Sequence, residues 1–397
     1  MTEQLPGLAH RVLAASWAEG ERDGVRYAYT RPSPARYPWQ WYWDSCFAAI
    51  VWRRFDRARS RAELETLLAA STPEGFIGHV VFWDRPLSLR RRVYYNVERR
   101  ASPMTSTIQP PLLAWAWRIA VGDPASEPRI ARHHEWLRDN RDLDGDGLLW
   151  LVQPDESGLD SSPKYDPVWG WRAHGRWGFP LLVARNRRLG WDAHRVRDAG
   201  GPVLCEVVTN VLWGLARLAM GEPSSTPALV DRLWDERLGL FLDEAQPGSL
   251  RPAVETWAAL APLALPDLPE ALGRRLVEEH LLDPHRFWLP APPPSVSAAE
   301  PSFEPGGGPG WKRRYWRGPT WINAAWLVWI GVLRLGYVEQ ARRMAAALTD
   351  VVAREGLREY YEPRSGAGLG ATDFAWTSLI CELTDPAPEA ARSYLAE

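Results

Sequence analysis

The sequence has no long uninterrupted apolar run and no obvious export signal. Its most apolar stretch, Ala324 to Leu333, is far shorter than the roughly 20 residues that a helix needs to cross a bilayer. The amino terminus lacks a basic segment followed by an apolar run, so it resembles a surface helix more than a signal peptide. We therefore expect a soluble protein without a membrane partner.

An excess of charge of one sign is also missing. The chain of 397 residues has 47 Lys and Arg against 49 Asp and Glu, a formal net charge of −2. Nucleic-acid binding depends largely on contacts between basic side chains and phosphates, and the sequence offers no basic stripe or tail for them. We exclude nucleic acid as a partner, while 46% hydrophobic residues suffice for a large core.

Cysteine is scarce. Cys46, Cys205 and Cys381 are odd in number and widely spaced, and each lies in an apolar pattern that we interpret as helical. Few and widely spaced cysteines of this kind indicate small buried side chains that stay reduced in a reducing compartment. The sequence predicts a cytoplasmic protein without disulfides.

Tryptophan, in contrast, is abundant, with 24 residues. The N–H group of a buried indole needs a hydrogen-bond partner. Burying this many tryptophans therefore costs free energy unless they have a structural or functional role. Most of these residues are expected to fill helix interfaces. The remainder are typical of a sugar-binding site.

Helical spacing of apolar residues runs along most of the chain. Pro319 is expected to open one helix and Gly336 to follow its last turn. Strand signals are confined to Gly147–Val152 and Gly239–Leu242. The predicted helices are Leu8–Ala18, Trp41–Phe55, Arg61–Ala70, Pro111–Ala120, Arg129–Asn140, Phe179–Leu189, Val207–Met220, Ala228–Trp234, Val254–Leu263, Glu270–Leu281, Trp321–Leu335, Glu339–Arg354 and Phe374–Leu383.

About a dozen helices joined by short links predict an all-α fold made of helical hairpins. The Pro- and Gly-rich stretches Pro290–Pro301 and Gly306–Gly310 lie between segments that read as one core, so we interpret them as structured loops. The sequence predicts one domain over residues 1–397.

The first candidate site segment ends at Asp44, which stands near the start of an apolar helix and follows a run rich in aromatic residues. In one interpretation Asp44 simply caps the helix. In the other, it accepts hydrogen bonds from sugar hydroxyls while Trp41 and Trp43 form the wall of a sugar site.

The second segment is an acidic loop. Its beginning, Asp142 to Gly147, imitates a calcium-binding loop, but Gln153 occupies the position of the closing Glu, so we predict a turn and no metal. Further along, Asp160 lies between Gly158 and Pro163. Asp160 is a candidate general acid.

The third segment leads into the helix after Pro319. Tyr315, Trp316 and Trp321 are expected to form an aromatic clamp. Arg317 either pairs with a catalytic carboxylate, fixes the loop, or extends its charged end into solvent.

The fourth segment follows Arg358 and contains two competing acids. Glu362 precedes a proline and suits a surface turn, whereas Glu359 lies between an arginine and two tyrosines. Nearby glycines allow backbone to approach closely. We favour Glu359 as the functional carboxylate.

Taken in order, these segments resemble an inverting glycoside hydrolase family with an (α/α)6 six-hairpin barrel. That family includes processing α-glucosidase and the bacterial mannosylglycerate and glucosylglycerate hydrolases, to which the likeness is strongest. The motifs that carry it are QWYWDSCFAAI, GFIGHVVFW, IQPPLLAWA, DGDGLLWL, ESGLDSSPKYD, the helix with Asn210, LLDPHRFWLPAPPPSV, RRYWRGPTWIN, EYYEPRSGAGLG and FAWTSL.

The resemblance implies roles for the two acids. Asp160 matches the general acid and Glu359 the general base that activates water on the opposite face of the sugar. No cofactor is implied; the partner is a small glycoside. The residues that the resemblance assigns to substrate binding are Tyr37, Trp41, Trp43, Asp44, Gln109, Gly158, Trp321 and Trp376 around the nonreducing sugar, and Tyr315 and Trp316 toward the leaving group.

The chain also departs from the family pattern. Asp155 stands where many relatives have Trp, and the segment between Trp171 and Arg195 is short. An anionic leaving group such as glycerate needs cationic partners. Arg85 and the loop with Arg90, Arg91, Arg92, Tyr94, Tyr95, Arg99 and Arg100 are candidates, unless that loop is simply solvated.

Other functions remain open at this stage. A glycosidase of the same fold acting on trehalose or oligosaccharide ends needs no carboxylate-binding loop, and a sugar-binding protein without activity needs no catalytic pair. A magnesium-dependent isoprenoid cyclase is disfavoured because no DDxxD-like cluster lies on a predicted helix.

Overall fold

A computed structural model of the chain describes residues 4–84, 89, 92, 103–174, 177–306, 315–383 and 394. The α-helices in this part are α1 (Gln4–Ser16), α2 (Tyr42–Trp52), α3 (Arg57–Ala69), α4 (Leu113–Ala120), α5 (Pro128–Arg141), α6 (Asp166–Trp169), α7 (Gly178–Arg188), α8 (Ala193–Asp198), α9 (Val207–Ala219), α10 (Thr226–Leu233), α11 (Glu270–Arg275), α12 (Ile322–Arg334) and α13 (Val338–Glu355).

The described residues also form one π-helical segment and six 3₁₀ segments. A π-helical segment, Leu276–Leu281, continues α11. The 3₁₀ segments are Pro124–Ser126, Pro154–Ser157, Pro163–Tyr165, Gly170–Arg172, Trp257–Ala264 and Ala375–Glu382. Pro262 lies inside Trp257–Ala264 and lacks the N–H that a continuous α-helical ladder requires there.

Six of these helices form a closed inner ring within the described residues. Along the ring, α2 contacts α4, α4 contacts α9, α9 contacts Trp257–Ala264, that segment contacts α12, α12 contacts Ala375–Glu382, and the latter returns to α2. A second layer lies outside it. There α1 packs on Ala375–Glu382, α3 on α2, α10 on α9, Leu276–Leu281 on Trp257–Ala264, and α13 on α12.

The remaining outer helix, α5, reaches the ring through a side chain. His134 of α5 lies against Trp213 of α9, with 4.6 Å between ring centroids. Two concentric layers of six helices therefore confirm the predicted all-α (α/α)6 toroid.

Eleven short strands occupy the connections of the described chain. They are β1 (Trp17–Arg22), β2 (Val25–Thr30), β3 (Gln40–Trp41), β4 (Val80–Val81), β5 (Trp150–Leu151), β6 (Val203–Cys205), β7 (Trp234–Asp235), β8 (Leu240–Phe241), β9 (Glu244–Gln246), β10 (Tyr360–Tyr361) and β11 (Gly368–Leu369). All pair antiparallel: β1 with β2, β3 with β4, β7 with β8, β10 with β11, and β6 with both β5 and β9. The predicted strand segments Gly147–Val152 and Gly239–Leu242 contain β5 and β8.

Helix α12 illustrates why the ring forms. Every residue from Ile322 to Leu333 is buried, because this apolar helix has neighbours on both its ring sides and its outer side. Gly336 follows it at φ 83°, and the N–H of Tyr337 donates to the carbonyl of Val332 at 3.1 Å. Such a left-handed ending is favourable only for glycine-like residues.

Three local predictions were wrong. Pro319 does not open α12, which begins at Ile322 after the extended residue Trp321. The first helix was predicted to end at Ala18, but it ends at Ser16. Trp17 and Ala18 instead start the hairpin of β1 and β2. Cys205 lies in β6 and not in a helix, although the thiols of all three cysteines are buried as expected.

One further feature concerns the surroundings of the protein. Among the helices of the described residues, none combines the length and the apolar character needed to span a membrane.

We expect Gly331→Ala to destabilise the ring. A Cβ at Gly331 of α12 would lie 2.3 Å from the carbonyl oxygen of Leu263 in the neighbouring ring helix. Overpacking of this kind costs about 1–3 kcal/mol, so the melting temperature should fall in thermal unfolding followed by circular dichroism.

Gly7→Ala is the matched control. Gly7 is exposed in α1, and an added Cβ would meet only Arg11 Nη1 at 3.6 Å. Removing a helical glycine there should leave the melting temperature unchanged or raise it. A Gly331→Ala protein as stable as the Gly7→Ala protein would contradict the close packing of α12.

Candidate active site

The predicted site residues gather at the amino-terminal ends of inner-ring helices. Trp43 and Asp44 lie in the first turn of α2, Trp321 immediately precedes α12, and Trp376 lies in the first turn of Ala375–Glu382. Gln109 precedes α4. The ring therefore brings together residues from distant parts of the sequence at one end.

Glu359 is completely buried immediately before β10. Its Oε2 accepts a hydrogen bond from the backbone N–H of Ala371 at 2.8 Å, and its Oε1 accepts a short one from the hydroxyl of Tyr315. Gly370 permits this arrangement, because a Cβ there would lie 2.5 Å from Oε2. The carboxyl group is thus fixed in one orientation.

One basic and one acidic side chain interact electrostatically with this carboxyl. The guanidinium Nη1 of Arg36 lies 3.5 Å from Glu359 Oε2, and the Arg36 side chain is about half exposed. Asp44 is buried, and both its burial and the charge of Glu359 raise the pKa of its carboxyl well above the usual value. A protonated Asp44 can both donate and accept hydrogen bonds.

Two tyrosine hydroxyls line the same region. The Oη of Tyr37 and the Oη of Tyr315 lie 3.2 Å apart. Burial and the charge of Glu359 raise the pKa of both hydroxyls. Both therefore remain neutral hydrogen-bond donors at physiological pH.

The loop that carries Asp160 is a compact turn. It follows the 3₁₀ segment Pro154–Ser157 and passes through Gly158 at φ 72°. The hydroxyl of Tyr165 donates to Ser157 Oγ at 2.6 Å, and Ser157 Oγ accepts the N–H of Leu159 at 3.0 Å. Asp160 is partly buried in this loop.

A buried ion pair stabilises this loop. The guanidinium of Arg141 donates to both oxygens of Glu156 at 2.7 and 2.8 Å, and both side chains are inaccessible to solvent. Glu156 also accepts the backbone N–H groups of Ile108 at 3.2 Å and Val152 at 2.8 Å. The pair therefore connects the Asp160 loop to the segment that carries Gln109.

A second buried cluster fixes the far end of the loop. Lys164 pairs closely with Glu206, and its Nζ lies 3.0 Å from Asp243 Oδ2. Burial raises the pKa of Asp243, while Lys164 opposes that shift. No sequence motif indicated this cluster.

Aromatic rings connect the two carboxylate loops. Trp43 lies 5.6 Å from Trp376 and 6.3 Å from Trp316 between ring centroids. A Cβ at Gly158 would lie 2.6 Å from the Trp43 ring, and the Trp376 indole N–H donates to the Glu359 carbonyl at 3.4 Å. Trp43 and Trp376 therefore bridge the Asp160 loop and the Glu359 loop.

Trp316 and Trp321 are stacked face to face, with 3.9 Å between centroids and 9° between planes. Trp257 also stacks on Trp316, with 6.0 Å between the ring centroids. All three indoles are buried, and their N–H groups have no hydrogen-bond partner among the described residues.

The other predicted residues have identifiable contacts. Gln109 Oε1 accepts the backbone N–H of Trp43 at 2.9 Å, so it holds the start of α2. Trp41 lies edge-on to Tyr37 at 5.7 Å and to His79 at 5.1 Å. Asp44 does not cap α2, because the capping position is Trp41 and no side chain makes the cap hydrogen bond.

Arg317 and Glu362 take structural positions. Arg317 Nη2 donates to both oxygens of Asp166 at 2.7 and 2.8 Å, which fixes the loop. Glu362 Oε2 accepts the backbone N–H of Arg364 at 3.0 Å and so closes a turn, as the sequence indicated. Asp142 likewise closes the predicted turn by accepting N–H groups from Gly145 and Gly147, each at 2.8 Å.

Some predictions concern residues whose structure is not described. The candidate leaving-group residues Arg85, Arg90, Arg91, Tyr94, Tyr95, Arg99 and Arg100 lie outside the described residues, as do residues 307–310 of the second Gly-rich stretch. Among the residues that are described, no group of three or more His, Cys, Asp and Glu side chains is arranged to hold a metal ion.

Sequence reasoning missed two residues of this region. Arg36, next to Tyr37, lies beside Glu359, and His79 lies against Trp41 with its pKa lowered to about 3 by burial. Both adjoin residues that were singled out, Arg36 directly in sequence and His79 within the GFIGHVVFW motif. No sequence pattern around Arg36 or His79 indicates a functional role.

Comparison with known proteins decides the family. Residues 37–377 match the model of the mannosylglycerate hydrolase MGH1-like glycoside hydrolase domain. The chain belongs to this family. It is therefore a glycoside hydrolase, and the family resemblance expected from the sequence motifs is confirmed.

Individual relatives agree. The mannosylglycerate hydrolase of Thermus thermophilus is 30% identical over 89% of this chain and 96% of its own length. The glucosylglycerate hydrolase of Mycolicibacterium hassiacum is 26% identical over 94% and 97%. A crystal structure of GH63 mannosylglycerate hydrolase from Thermus thermophilus with Tris and D-glycerate superposes with a TM-score of 0.78 at 27% identity, covering 95% of this chain and 98% of that one.

We expect Gly158→Ala to impair catalysis by this glycoside hydrolase. A side chain there would force apart the Asp160 loop and Trp43, in addition to straining a left-handed backbone. Because displacements of about 1 Å in an active site reduce rates by roughly 100-fold, kcat/KM should fall at least tenfold in initial-rate assays.

Gly221→Ala separates the two effects. Gly221, which follows α9, has φ 73° but no atom within 4 Å of an added Cβ, so it shares only the backbone strain. Its kcat/KM should stay within about twofold of wild type. Equal losses in both variants would mean that the contact between Gly158 and Trp43 has no catalytic importance.

Proposed function

We propose that this chain hydrolyses 2-O-α-mannosylglycerate or 2-O-α-glucosylglycerate with inversion at the anomeric carbon, releasing mannose or glucose and glycerate. The observation that carries the proposal is the connection of two carboxylate loops by Trp43 and Trp376. The names of the similar enzymes and the D-glycerate complex of the similar structure support this class of substrate.

In the proposed reaction, Asp160 donates a proton to the glycosidic oxygen as the bond to the anomeric carbon breaks. Glu359 accepts a proton from a water molecule that attacks the same carbon from the opposite face. The new C–O bond therefore forms with inverted configuration. The hydrogen bonds from Tyr315 and Ala371 keep the Glu359 carboxyl oriented for this role.

The surrounding residues suit the binding of a sugar. Neutral hydroxyls of Tyr37 and Tyr315 and the carboxyl of Asp44 offer hydrogen bonds to sugar hydroxyls. The indole N–H groups of Trp316 and Trp321 are unused donors within the described part of the chain, and sugar oxygens are suitable acceptors. We propose that Trp41, Gln109, Gly158 and Trp376 complete the substrate-binding region.

We further propose that residues 1–397 form one catalytic domain and that the protein works in the cytoplasm. The closed inner ring draws helices from both halves of the chain, which supports a single domain. The buried thiols are compatible with a reducing compartment.

Asp160→Asn and Glu359→Gln should each lower kcat by about 10²–10⁴-fold, since each removes a proton-transfer group. The two amides are close in shape to the acids, so melting temperatures should remain near wild type. Glu362→Gln is the matched control, because that acid closes a turn only three residues from Glu359. Near-normal turnover in either active-site variant would remove that residue from the mechanism.

Proton NMR of the released sugar tests substrate and stereochemistry together. Incubation with α-mannosylglycerate, α-glucosylglycerate and trehalose in separate samples should give release from at least one of the two glycerates, with the β-anomer appearing first. Early α-anomer would refute inversion. Release from trehalose alone would support a glycosidase for neutral α-glycosides.

A further inference from the structure

Glu63 is an acid of the outer helix α3, and the reaction proposed above gives it no role. Its side chain has no exposure to solvent. No basic side chain of the described residues lies within ion-pair distance of it, and its polar contacts are all with neutral groups. A buried carboxyl without a cationic partner avoids the cost of a buried charge by keeping its proton.

The Glu63 carboxyl connects β2 to α2. Its Oε2 accepts the backbone N–H and the hydroxyl of Thr30, each at 2.7 Å. The indole N–H of Trp52 donates to Thr30 Oγ1 at 2.9 Å, so the hydroxyl hydrogen of Thr30 is available to Glu63. Glu63 Oε1 lies 2.5 Å from the Oγ of Ser45, in the first turn of α2. Because Oε2 already accepts two hydrogens, a proton on this carboxyl belongs on Oε1, facing Ser45.

Glu63 also contacts the other end of the same segment. We call residues 40–45 the wall segment; three of them are proposed to bind substrate, namely Trp41, Trp43 and Asp44. The Nε2 of Gln40 donates to the backbone carbonyl of Glu63 at 3.3 Å and to Ser45 Oγ at 3.2 Å. Gln40 Oε1 in turn accepts the indole N–H of Trp83 at 2.6 Å. One residue of α3 thus holds both the first and the last residue of the wall segment.

The protonation state of Glu63 affects this segment. Burial raises the pKa of its carboxyl to about 8, although the hydrogen bonds from Ser45 and Thr30 oppose the shift. After burial and the charge of Glu359, a charge on Glu63 further raises the pKa of Asp44. A neutral Glu63 therefore holds the wall segment without placing another negative charge beside Asp44.

We propose that Glu63 is a positioning residue for substrate binding: as a neutral acid it donates to Ser45 Oγ and, together with Gln40, fixes the wall segment against α3 and β2. The inference rests on the proposed role of the wall segment in binding the sugar. Loss of the proton leaves a buried negative charge without a cation and destabilises this arrangement.

Charged groups on the neighbouring elements do not compensate Glu63. The titratable groups that face it from α2 are Asp44 and Cys46, and the charge of Glu63 contributes to raising the pKa of both after burial. Arg26 and Arg57 are exposed. The other nearby basic residues pair with other acids, namely Arg31 with Asp84, Arg53 and Arg54 with Glu382, Arg59 with Asp56, Arg61 with Glu65, and Arg118 with Asp123.

Two substitutions separate the neutral donor from the hydrogen bonds as a whole. Glu63→Gln supplies a neutral amide that can donate to Ser45 and accept from Thr30, so kcat/KM should stay within about threefold of wild type. Glu63→Leu removes all the side-chain hydrogen bonds at similar volume. Its KM for the cleaved glycerate glycoside should rise at least about tenfold while kcat changes less, because the wall segment binds the sugar and transfers no proton.

A second measurement needs no substrate. Folding raises the pKa of Glu63 from its ordinary 4.5 to about 8, so in this range the native protein holds a proton that the unfolded chain has released. The melting temperature of wild type should therefore fall relative to that of Glu63→Gln as the pH rises across this range, and the difference should be constant above it. Glu65→Gln is the matched control, since this exposed acid of α3 pairs with Arg61, and it should follow wild type.

The possible results are distinct. A Glu63→Gln enzyme as impaired as Glu63→Leu would overturn the inference, as would a difference in melting temperature that does not vary with pH. If Glu63→Leu does not fold, Ser45→Ala, which removes only the contact with Oε1, takes its place in the KM comparison. Absence of hydrolysis of both glycerates would refute the proposed function, whereas the melting temperatures would still decide whether Glu63 is neutral.

Discussion

The buried ion pair between Arg141 and Glu156 is the interaction on which the Asp160 side of the candidate site depends. Burying two charges is costly, and removing one partner of such a pair typically costs about 3–5 kcal/mol because the other charge is left uncompensated. Here the cost is offset by full hydrogen bonding, since Glu156 accepts from Arg141 and from the N–H groups of Ile108 and Val152. A helix of the outer layer thereby determines the path of two segments of the candidate site.

The influence of this pair extends to the wall of the sugar region. Gln109 follows Ile108, and its side-chain oxygen holds the backbone N–H of Trp43. Trp43 in turn contacts the turn at Gly158, so the wall and the acid loop are positioned from both directions. Neither element can move far without breaking a buried hydrogen bond, which costs about 1–3 kcal/mol when a group is left unsatisfied.

The sequence predicted the helices well because their apolar residues recur at helical spacing and their ends carry recognisable signals. It also identified four aromatic and acidic segments that the ring brings together, but neither Trp257 nor the acids Glu206 and Asp243. The hairpin of β1 and β2 was missed because Trp17 and Ala18 continue the apolar pattern of α1. The partners of Glu156 were missed for a different reason: Arg141 lies in another helix, and no local pattern indicates a pairing that only the packing of α5 creates.

Both proposed catalytic carboxyls have a second acid as neighbour, and the environment gives the two pairs different roles. Around Glu359, the hydroxyl of Tyr315, the N–H of Ala371 and the guanidinium of Arg36 all favour a negative charge. Burial and the charge of Glu359 raise the pKa of the neighbouring Asp44. In the loop of Asp160, the carboxyl of Asp155 accepts a hydrogen bond from the neutral amide of Gln153 at 2.7 Å. Two carboxyls with different surroundings can thus serve as base and acid at one pH, because burial and hydrogen bonding, more than residue type, decide where protons reside.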